Sequence, residues 1–230
     1  NLISETDTNG KTIEYEYDSM NRRIRIIGKE GEVTRLFYDG AGNIIKLVKP
    51  EEYDREKDDG KGTLYSYDSM NRLVEVRDPL GFIVEKNKYN PAGDLIEKTD
   101  ALGKSIEYTY YSTGRVKEIY TPGAKKKGRP SQEYTYDALG NITGIKDGEG
   151  NLTVNTLDLW GRITEVLKPD GSSEKYEYDY AGNVTASVDG NGNRTEYEYN
   201  SMNKLARIVD PAGGEILYKY DLQGRLAKKI

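Results

Sequence analysis

The 230-residue chain has no histidine and no cysteine, and it has only one tryptophan and two phenylalanines. The absence of cysteine excludes a disulfide framework, a thiolate nucleophile and a zinc knuckle. Without histidine, nucleophilic catalysis by serine or threonine would need a lysine or a carboxylate as its base. We therefore expect no enzymatic activity, no metal and no cofactor.

Long hydrophobic runs are also missing, since no apolar stretch approaches the roughly 18 residues of a membrane-spanning helix. The opening residues, NLISETDTNG, do not have the pattern of a signal peptide. The net charge of −5 and the isoelectric point near 5.1 do not fit a nucleic-acid-binding surface. We expect neither membrane insertion nor a nucleic-acid partner. Because the chain opens on Asn1 rather than methionine, we also expect a fragment or a processed product.

What the chain has instead is tyrosine, 20 in all, arranged in a repeat of about 21 residues. We call the residue that follows each Tyr-x-Tyr segment, or its equivalent, the anchor. Two insertions, about 49–62 and 121–132, interrupt the period. We interpret residues 1–230 as a single repeat array whose ten anchors are Asp18, Asp39, Asp68, Asn90, Tyr111, Asp137, Asp158, Asp179, Asn200 and Asp221.

The third residue after every anchor is glycine or asparagine, the two types that best tolerate a positive φ. Aspartate followed three residues later by glycine or asparagine is typical of a short hairpin loop with a bulge. One such match means little, whereas ten in register are specific. The predicted structural turn residues are Asp18, Asn21, Asp39, Gly42, Asp68, Asn71, Gly93, Gly114, Asp137, Gly140, Asp158, Gly161, Asp179, Gly182, Asn203, Asp221 and Gly224.

A second turn follows about ten residues after most anchors, as in DPLG at Asp78 and DGNG at Asp189. Each repeat therefore contains two turns and two strands, and the Tyr-x-Tyr spacing places both rings on one face of a strand. The bulged loops favour antiparallel hairpins, while one coil of a parallel β-solenoid per repeat remains the alternative. The predicted tyrosine ladder comprises Tyr15, Tyr17, Tyr65, Tyr67, Tyr108, Tyr110, Tyr134, Tyr136, Tyr176, Tyr178, Tyr197, Tyr199, Tyr218 and Tyr220.

About twenty strands exceed the roughly ten that an open twisted sheet usually holds before it curls. The predicted fold class is therefore all-β, a repetitive antiparallel hairpin meander of ten repeats that curls into a spiral strip or shell segment. Its end strands should offer unpaired edges, which invite pairing with another chain.

The segments YTYDALGNITGIKDGEGNLTV, YSYDSMNRLVEVRDPLG and YKYDLQGRL resemble the YD repeats of the RHS family. This family includes bacterial polymorphic toxins, the B and C components of insecticidal toxin complexes, wall-associated proteins and teneurins. The resemblance implies an extracellular or cell-surface protein whose β-strip spirals into a hollow shell, which in the toxins encloses a cytotoxic C-terminal segment. The chain lacks the family's self-cleaving core region and a toxin domain, so self-processing and a cargo of its own are in doubt.

Four features suggest chemistry that ordinary structure also explains. DPLG at Asp78 and DPAG at Asp210 are similar to the self-cleavage motif but fall on the second-turn register. DGEGN at Asp147 and DGNGN at Asp189 suggest calcium without the spacing of a known calcium loop. Tyrosine faces can stack on sugar rings, although tyrosines at fixed repeat positions more often pack across strands. The basic run of the second insertion is interpreted as a solvated loop rather than a site for an anionic polymer; it comprises Lys125, Lys126, Lys127 and Arg129.

Three functional hypotheses follow. The first is a non-catalytic structural module that forms part of a β-shell around a toxin or other cargo, with the remainder of a larger RHS-type chain as its partner. The second is a surface module that binds carbohydrate or protein. The third is a filament subunit that self-associates through its open end strands.

Overall fold

A computed structural model describes residues 1–230. The chain divides into two compact units, a first unit of Asn1–Thr109 and a second unit of Tyr110–Ile230. Apart from 3-10 turns at Pro50–Glu52 and Lys125–Lys127, both units are built from β-strands. No helix has the length and apolar character needed to cross a membrane. The predicted all-β fold class is confirmed.

Twelve strands begin in the first unit. They are β1 (Ser4–Thr6), β2 (Thr12–Tyr17), β3 (Arg23–Ile27), β4 (Val33–Tyr38), β5 (Ile44–Val48), β6 (Tyr53–Asp54), β7 (Asp59–Gly60), β8 (Thr63–Tyr67), β9 (Leu73–Arg77), β10 (Ile83–Tyr89), β11 (Leu95–Asp100) and β12 (Ser105–Tyr110). Ten of them form an antiparallel meander in chain order, in which β5 pairs directly with β8. The two short strands left over, β6 and β7, pair with each other.

Eleven strands make up the second unit. They are β13 (Val116–Tyr120), β14 (Gln132–Tyr136), β15 (Ile142–Asp147), β16 (Leu152–Leu157), β17 (Ile163–Leu167), β18 (Ser173–Tyr178), β19 (Val184–Val188), β20 (Arg194–Tyr199), β21 (Leu205–Val209), β22 (Glu215–Tyr220) and β23 (Leu226–Lys229). Each pairs antiparallel with its neighbour in sequence. The meander predicted from the turn chemistry is therefore correct, and the parallel solenoid is not formed.

The sheet of each unit has two chemically different faces because side chains alternate along a strand. On the charged face of the first unit, Glu16 lies opposite Arg25, which in turn lies opposite Arg35. On the tyrosine face, Tyr15 lies opposite Ile26. The second unit repeats this division: Glu177, Ala186 and Glu196 form one row across β18 to β20, while Tyr176 lies opposite Ser187 on the other face.

The first predicted insertion folds back over the charged face of its own unit. It contains the 3-10 turn at Pro50–Glu52 and the β6–β7 hairpin, and we call it the covering insertion. Arg25 donates to the hydroxyl of Tyr53 at 2.6 Å, and Lys46 donates to Asp59 at 2.7 Å. Beneath it, Val48 is completely buried. Since bulk water is excluded here, this is where the first unit comes nearest to a hydrophobic core.

Buried apolar side chains are few. The structure buries only Val33 and Val48 in the first unit and Ala186 in the second. Stability must therefore come mainly from cross-strand contacts and local hydrogen bonds distributed along the chain, as in other repeat proteins.

Candidate functional site at the turn edge

All ten anchor turns have the same backbone geometry. At Asp18, for example, the anchor N–H donates to the carbonyl of Arg22, and the N–H of Asn21 donates back to the Asp18 carbonyl, both at 3.0 Å. The third residue after each anchor has a positive φ, which runs from 54° at Asn203 to 100° at Gly93. Glycine adopts this conformation without a steric penalty and asparagine tolerates it, which explains why these two residues alternate along the repeats.

The anchor carboxylate closes the turn by accepting hydrogen bonds from the fourth residue after it. Asp39 accepts the backbone N–H of Asn43 at 2.8 Å and its side-chain amide at 2.9 Å. At Asp18, a guanidinium takes the place of the amide, and Arg22 donates from Nε at 2.7 Å. These bonds favour the ionised carboxylate and hold the pKa of both aspartates below the ordinary value of 3.8, led by the Asn43 side chain and by the Arg22 backbone respectively.

The fourth repeat exchanges the two partners. Here the anchor is Asn90 and the fourth residue after it is Asp94, and the Asn90 amide donates to the Asp94 carboxylate at 2.9 Å. The backbone N–H of Asp94 donates to the Asn90 side-chain oxygen at the same distance. Eight of the ten anchor turns thus pair one carboxylate with one donor four residues apart, in either order, whereas Tyr111 with Arg115 and Asn200 with Lys204 form the turn without a carboxylate.

An arginine at this fourth position also joins one anchor turn to the next. Arg162 donates from Nη1 to the carbonyl of Asp179, the following anchor, at 3.0 Å, and its guanidinium lies 4.5 Å from the ring centre of Tyr178. We call this arrangement the repeat clamp. The same clamp joins Arg22 to the Asp39 carbonyl and the Tyr38 ring, and Arg72 to the Asn90 carbonyl and the Tyr89 ring.

The tyrosine immediately before an anchor ties its repeat to the preceding one through its hydroxyl. Tyr178 donates to the carbonyl of Ile163 at 2.7 Å, and this carbonyl belongs to the fifth residue after the preceding anchor. Five further tyrosines bond to the equivalent carbonyl at 2.7 to 2.9 Å: Tyr38, Tyr67, Tyr89, Tyr136 and Tyr220. Each hydroxyl thus satisfies a backbone acceptor at the point where the strand leaves its turn.

The first tyrosine of a Tyr-x-Tyr segment bonds to side chains instead. Tyr15 donates to Glu5 at 2.6 Å, and Tyr176 donates to Glu174 at 3.0 Å. A ring-to-ring contact occurs between Tyr111 and Tyr136, whose centres are 6.0 Å apart. The other predicted ladder residues lie on the strands expected for them, Tyr17 on β2, Tyr65 and Tyr67 on β8, Tyr108 and Tyr110 on β12, Tyr134 on β14, Tyr197 and Tyr199 on β20 and Tyr218 on β22.

The aspartates that suggested chemistry use their carboxylates within their own turns. Asp78 accepts the N–H groups of Leu80 and Phe82, and Asp210 makes the same two bonds in its turn. Asp147 and Asp189 accept from the backbone and the amide of an asparagine four residues later. These bonds are what the turn interpretation of the four motifs requires.

A cleft of about 600 Å³ opens between two neighbouring anchor turns of the second unit. We call it the turn-edge cleft. Trp160, two residues after its anchor, is 73% exposed, and Tyr180, one residue after the next anchor, is fully exposed. Arg162 lies 4.9 Å from the centre of the Trp160 ring. The remaining lining consists of Tyr178, Asp179, Ala181 and Gly182.

Sequence reasoning missed both the repeat clamp and this cleft. The clamp had a signal in the fourth position after each anchor, which reads Arg22, Asn43, Arg72, Asp94, Arg115, Asn141, Arg162, Asn183, Lys204 and Arg225 and is never apolar. Tyr38 and Tyr89 were missed because their segments lack the first tyrosine of the pair. The cleft depends on two residues outside the repeat consensus, so no periodic signal marks it.

Comparisons with known proteins agree with the repeat geometry. A family model described as Teneurin YD-shell matches residues 123–230, and a model described as RHS Repeat matches residues 1–32 and 89–126. A search of the curated proteins finds no match.

Solved structures similar to the chain include the Photorhabdus luminescens Tc holotoxin pore, at 14% identity and a TM-score of 0.38 over 96% of this chain and 18% of that one. TcdB2–TccC3 without its hypervariable C-terminal region is similar at 14% identity and a TM-score of 0.28, over 97% of this chain and 18% of that one. The chain thus spans about a fifth of the length of these structures. Both family models describe repeats of the RHS/YD type, and the ten repeats of this chain are similar to that family.

Proposed function

We propose that the chain is a non-catalytic structural segment of a larger extracellular RHS/YD-repeat protein, where it forms part of a β-shell wall around a toxin or other cargo. The observation that carries this proposal is the repeat clamp. It joins three pairs of successive anchor turns, through hydrogen bonds from Arg22, Arg72 and Arg162 to the next anchor carbonyl, and so reinforces the edge of the sheet in both units.

The scarcity of buried apolar residues supports the assignment of the chain to the wall of a shell. Each unit has a charged face and a tyrosine face, and only Val33, Val48 and Ala186 are buried apolar residues. A catalytic domain of comparable length normally encloses a core and holds its reactive groups in a pocket. Here the anchor carboxylates are engaged in turn hydrogen bonds, which leaves them poor candidates for acid–base chemistry.

The expected partners are the remainder of the larger chain and the cargo that the shell would enclose. Similarity to the RHS/YD-repeat family supports this assignment and the extracellular location. Two other partners compete with this proposal: a glycan, and a second copy of the chain that pairs through the end strands β1 and β23.

The first test is cryo-electron microscopy of the purified 230-residue chain, with its oligomeric state measured by light scattering. We expect separate strips or shell segments containing one chain each. Filaments in which copies join through β1 and β23 would overturn the wall proposal and favour assembly.

The second test addresses the cargo, using the longest natural protein that contains this array. We expect limited proteolysis to leave one segment intact under native conditions and to degrade it once denaturant opens the shell. Equal digestion of every segment outside the array, with and without denaturant, would contradict enclosure.

A further inference from the structure

The aromatic residues of the turn-edge cleft are not required by the repeat. The first and second positions after the other anchors hold no aromatic residue, and those turns form with the same backbone geometry. Tyr180 and the chain's single tryptophan, Trp160, nevertheless occupy these positions in consecutive repeats and face one cleft. Large exposed aromatic rings cost solvation free energy, so a pair of them at one opening indicates a binding surface.

The charged groups of the cleft and the Tyr178 hydroxyl are already engaged, which restricts the ligand. Arg162 pairs with Asp158 at 2.7 Å and donates to the Asp179 carbonyl at 3.0 Å. The hydroxyl of Tyr178 donates to Ile163, and the Asp179 carboxylate accepts from Asn183. A charged ligand would find no unpaired countercharge here, and a glycan would find few partners for its hydroxyls. An uncharged, largely apolar ligand suits the cleft best.

The repeat also fixes the spacing of the two turns that carry these rings. Neighbouring anchor turns are two strands apart, which corresponds to about 9.6 Å at the usual inter-strand distance. A polyproline II helix has three residues per turn and rises about 3.1 Å per residue, so the same side of the ligand returns every 9.3 Å or so. One turn of such a ligand therefore spans the distance between the two turns that carry the aromatic residues.

Two hydrogen-bond donors in the cleft remain available, the hydroxyl of the fully exposed Tyr180 and the indole N–H of Trp160. The indole N–H of Trp160 has no protein acceptor, while the Trp160 backbone N–H is bonded to Asp158 at 2.9 Å. The carbonyl groups of a polyproline II segment have no internal partners and accept such donors readily. Leu159 beside it is 93% exposed and adds apolar surface to the rim.

We propose that the turn-edge cleft binds a proline-rich, extended segment of a partner protein, with Trp160 and Tyr180 as the two aromatic contacts. The segment packs one face across both rings and accepts a hydrogen bond from the Trp160 indole. The site lies on the edge of the sheet, so it operates whether or not the array encloses a cargo.

The test uses the whole 230-residue chain and a capped peptide of about nine residues, built from Pro-Pro-Leu units so that it spans about three turns of polyproline II. Because Trp160 is the only tryptophan, its fluorescence reports directly on the cleft. We expect a saturable blue shift with this peptide and none with a Gly-Ser peptide of equal length. A matching titration with a linear β-linked glucose hexasaccharide tests the competing ligand class.

Three variants test separately whether peptide binding needs the aromatic ring of Tyr180, its hydroxyl, or only an exposed side chain at that turn position. Tyr180→Ala should weaken peptide binding about 30-fold, as expected for loss of a central aromatic contact, whereas Tyr180→Phe should bind normally. Leu222→Ala is the matched control, because Leu222 occupies the same turn position as Tyr180, is 96% exposed and lies outside the cleft. Trp160→Phe, measured by the anisotropy of a labelled peptide, should weaken binding about tenfold through loss of the indole donor.

Three results would overturn the proposal. They are the absence of saturable peptide binding, saturable binding of the hexasaccharide alone, or an affinity for peptide that Tyr180→Ala and Leu222→Ala change equally. Circular dichroism of each variant checks that the sheet is intact, which is expected because both side chains extend into solvent.

Discussion

The charged face of the sheet is covered differently in the two units. In the first unit the chain itself covers part of it, with Tyr53 and Asp58 of the covering insertion bonded to arginines on β3 and β4. In the second unit side chains bridge the face: Arg194 on β20 reaches across β19 and holds Glu177 on β18 through two hydrogen bonds of 2.6 and 2.8 Å. The 21-residue period thus builds the sheet, while departures from it decide how each face is covered.

The exposed apolar residues of the turns are also distributed differently. In the first unit, Leu80, Phe82 and Leu102 are exposed at second turns, and Met20 and Met70 are exposed at anchor turns. In the second unit the exposed apolar turn residues lie at anchor turns: Leu139, Leu159, Trp160, Tyr180, Met202 and Leu222. Turn tips carry none of the repeat's hydrogen bonds through their side chains, so they are free to differ between units and to serve binding.

The largest expected effect comes from displacing the covering insertion with Gly60→Val. A Cβ atom at Gly60 would lie 1.9 Å from the carbonyl oxygen of Glu52 and 2.9 Å from Val48, so the hairpin must move off the face. We expect the free energy of unfolding of the first unit to fall by about 3 kcal/mol. Urea unfolding and amide hydrogen exchange in β3 to β5 would measure this.

Gly40→Val is the matched control, since Gly40 also lies in the first unit and a Cβ atom there would have no neighbouring atom within 4 Å. Unchanged exchange in Gly60→Val would mean that the insertion does not protect the charged face, and the contrast between the units would disappear.

The next effect should be the same in both units, because it concerns the repeat itself. Tyr38→Phe and Tyr178→Phe each remove a hydroxyl that donates to a backbone carbonyl at 2.7 Å. We expect each to lower the free energy of unfolding by about 1 kcal/mol in urea titrations. Tyr180→Phe, which removes a fully exposed hydroxyl, should have no effect. A large difference between Tyr38 and Tyr178 would show that this tie between repeats is not equivalent in the two units.

A smaller loss is expected from Arg194→Met in the second unit. The Glu177 carboxylate raises the pKa of Arg194 and holds its guanidinium across β19. Because the pair is partly exposed, its contribution should be below that of the tyrosine hydroxyls and should fall further at high ionic strength. A double-mutant cycle with Glu177→Gln would measure the coupling, and coupling that does not respond to salt would contradict a surface ion pair.

The smallest effect should be a change in acid titration, again equal in both units. The Asn43 and Asn183 side chains lower the pKa of Asp39 and Asp179 below 3.8. This stabilises the folded chain above pH 3.8, and the contribution is lost as the pH falls through the lower, folded pKa. Asn43→Ala and Asn183→Ala should raise the respective pKa toward 3.8 in NMR titrations. Asn191→Ala, at a second-turn tip, should leave both values unchanged.

Much of the fold could be predicted because it is encoded locally. The glycine or asparagine that follows each of the ten anchors by three residues identifies the turns, and a bulged hairpin loop joins antiparallel neighbours, so the meander followed from turn chemistry. Arg162 was missed, since an arginine after a turn looks like a solvated surface residue until its contact with Asp179 is known. The turn-edge cleft was missed for a related reason: Trp160 and Tyr180 are 20 residues apart and meet only when two repeats stand side by side.

Local sequence was enough to specify the hairpins, their order and the two chemically distinct faces of the strands, because each depends on a few neighbouring residues and on the alternation of side chains. What lies over those faces, and which turn tips share a cleft, emerged only from the folded chain. Such contacts join residues whose separation along the chain carries no periodic signal, as between Arg35 and Asp58. They form only after the strands have paired, when the sheet has already fixed the distances between its turns.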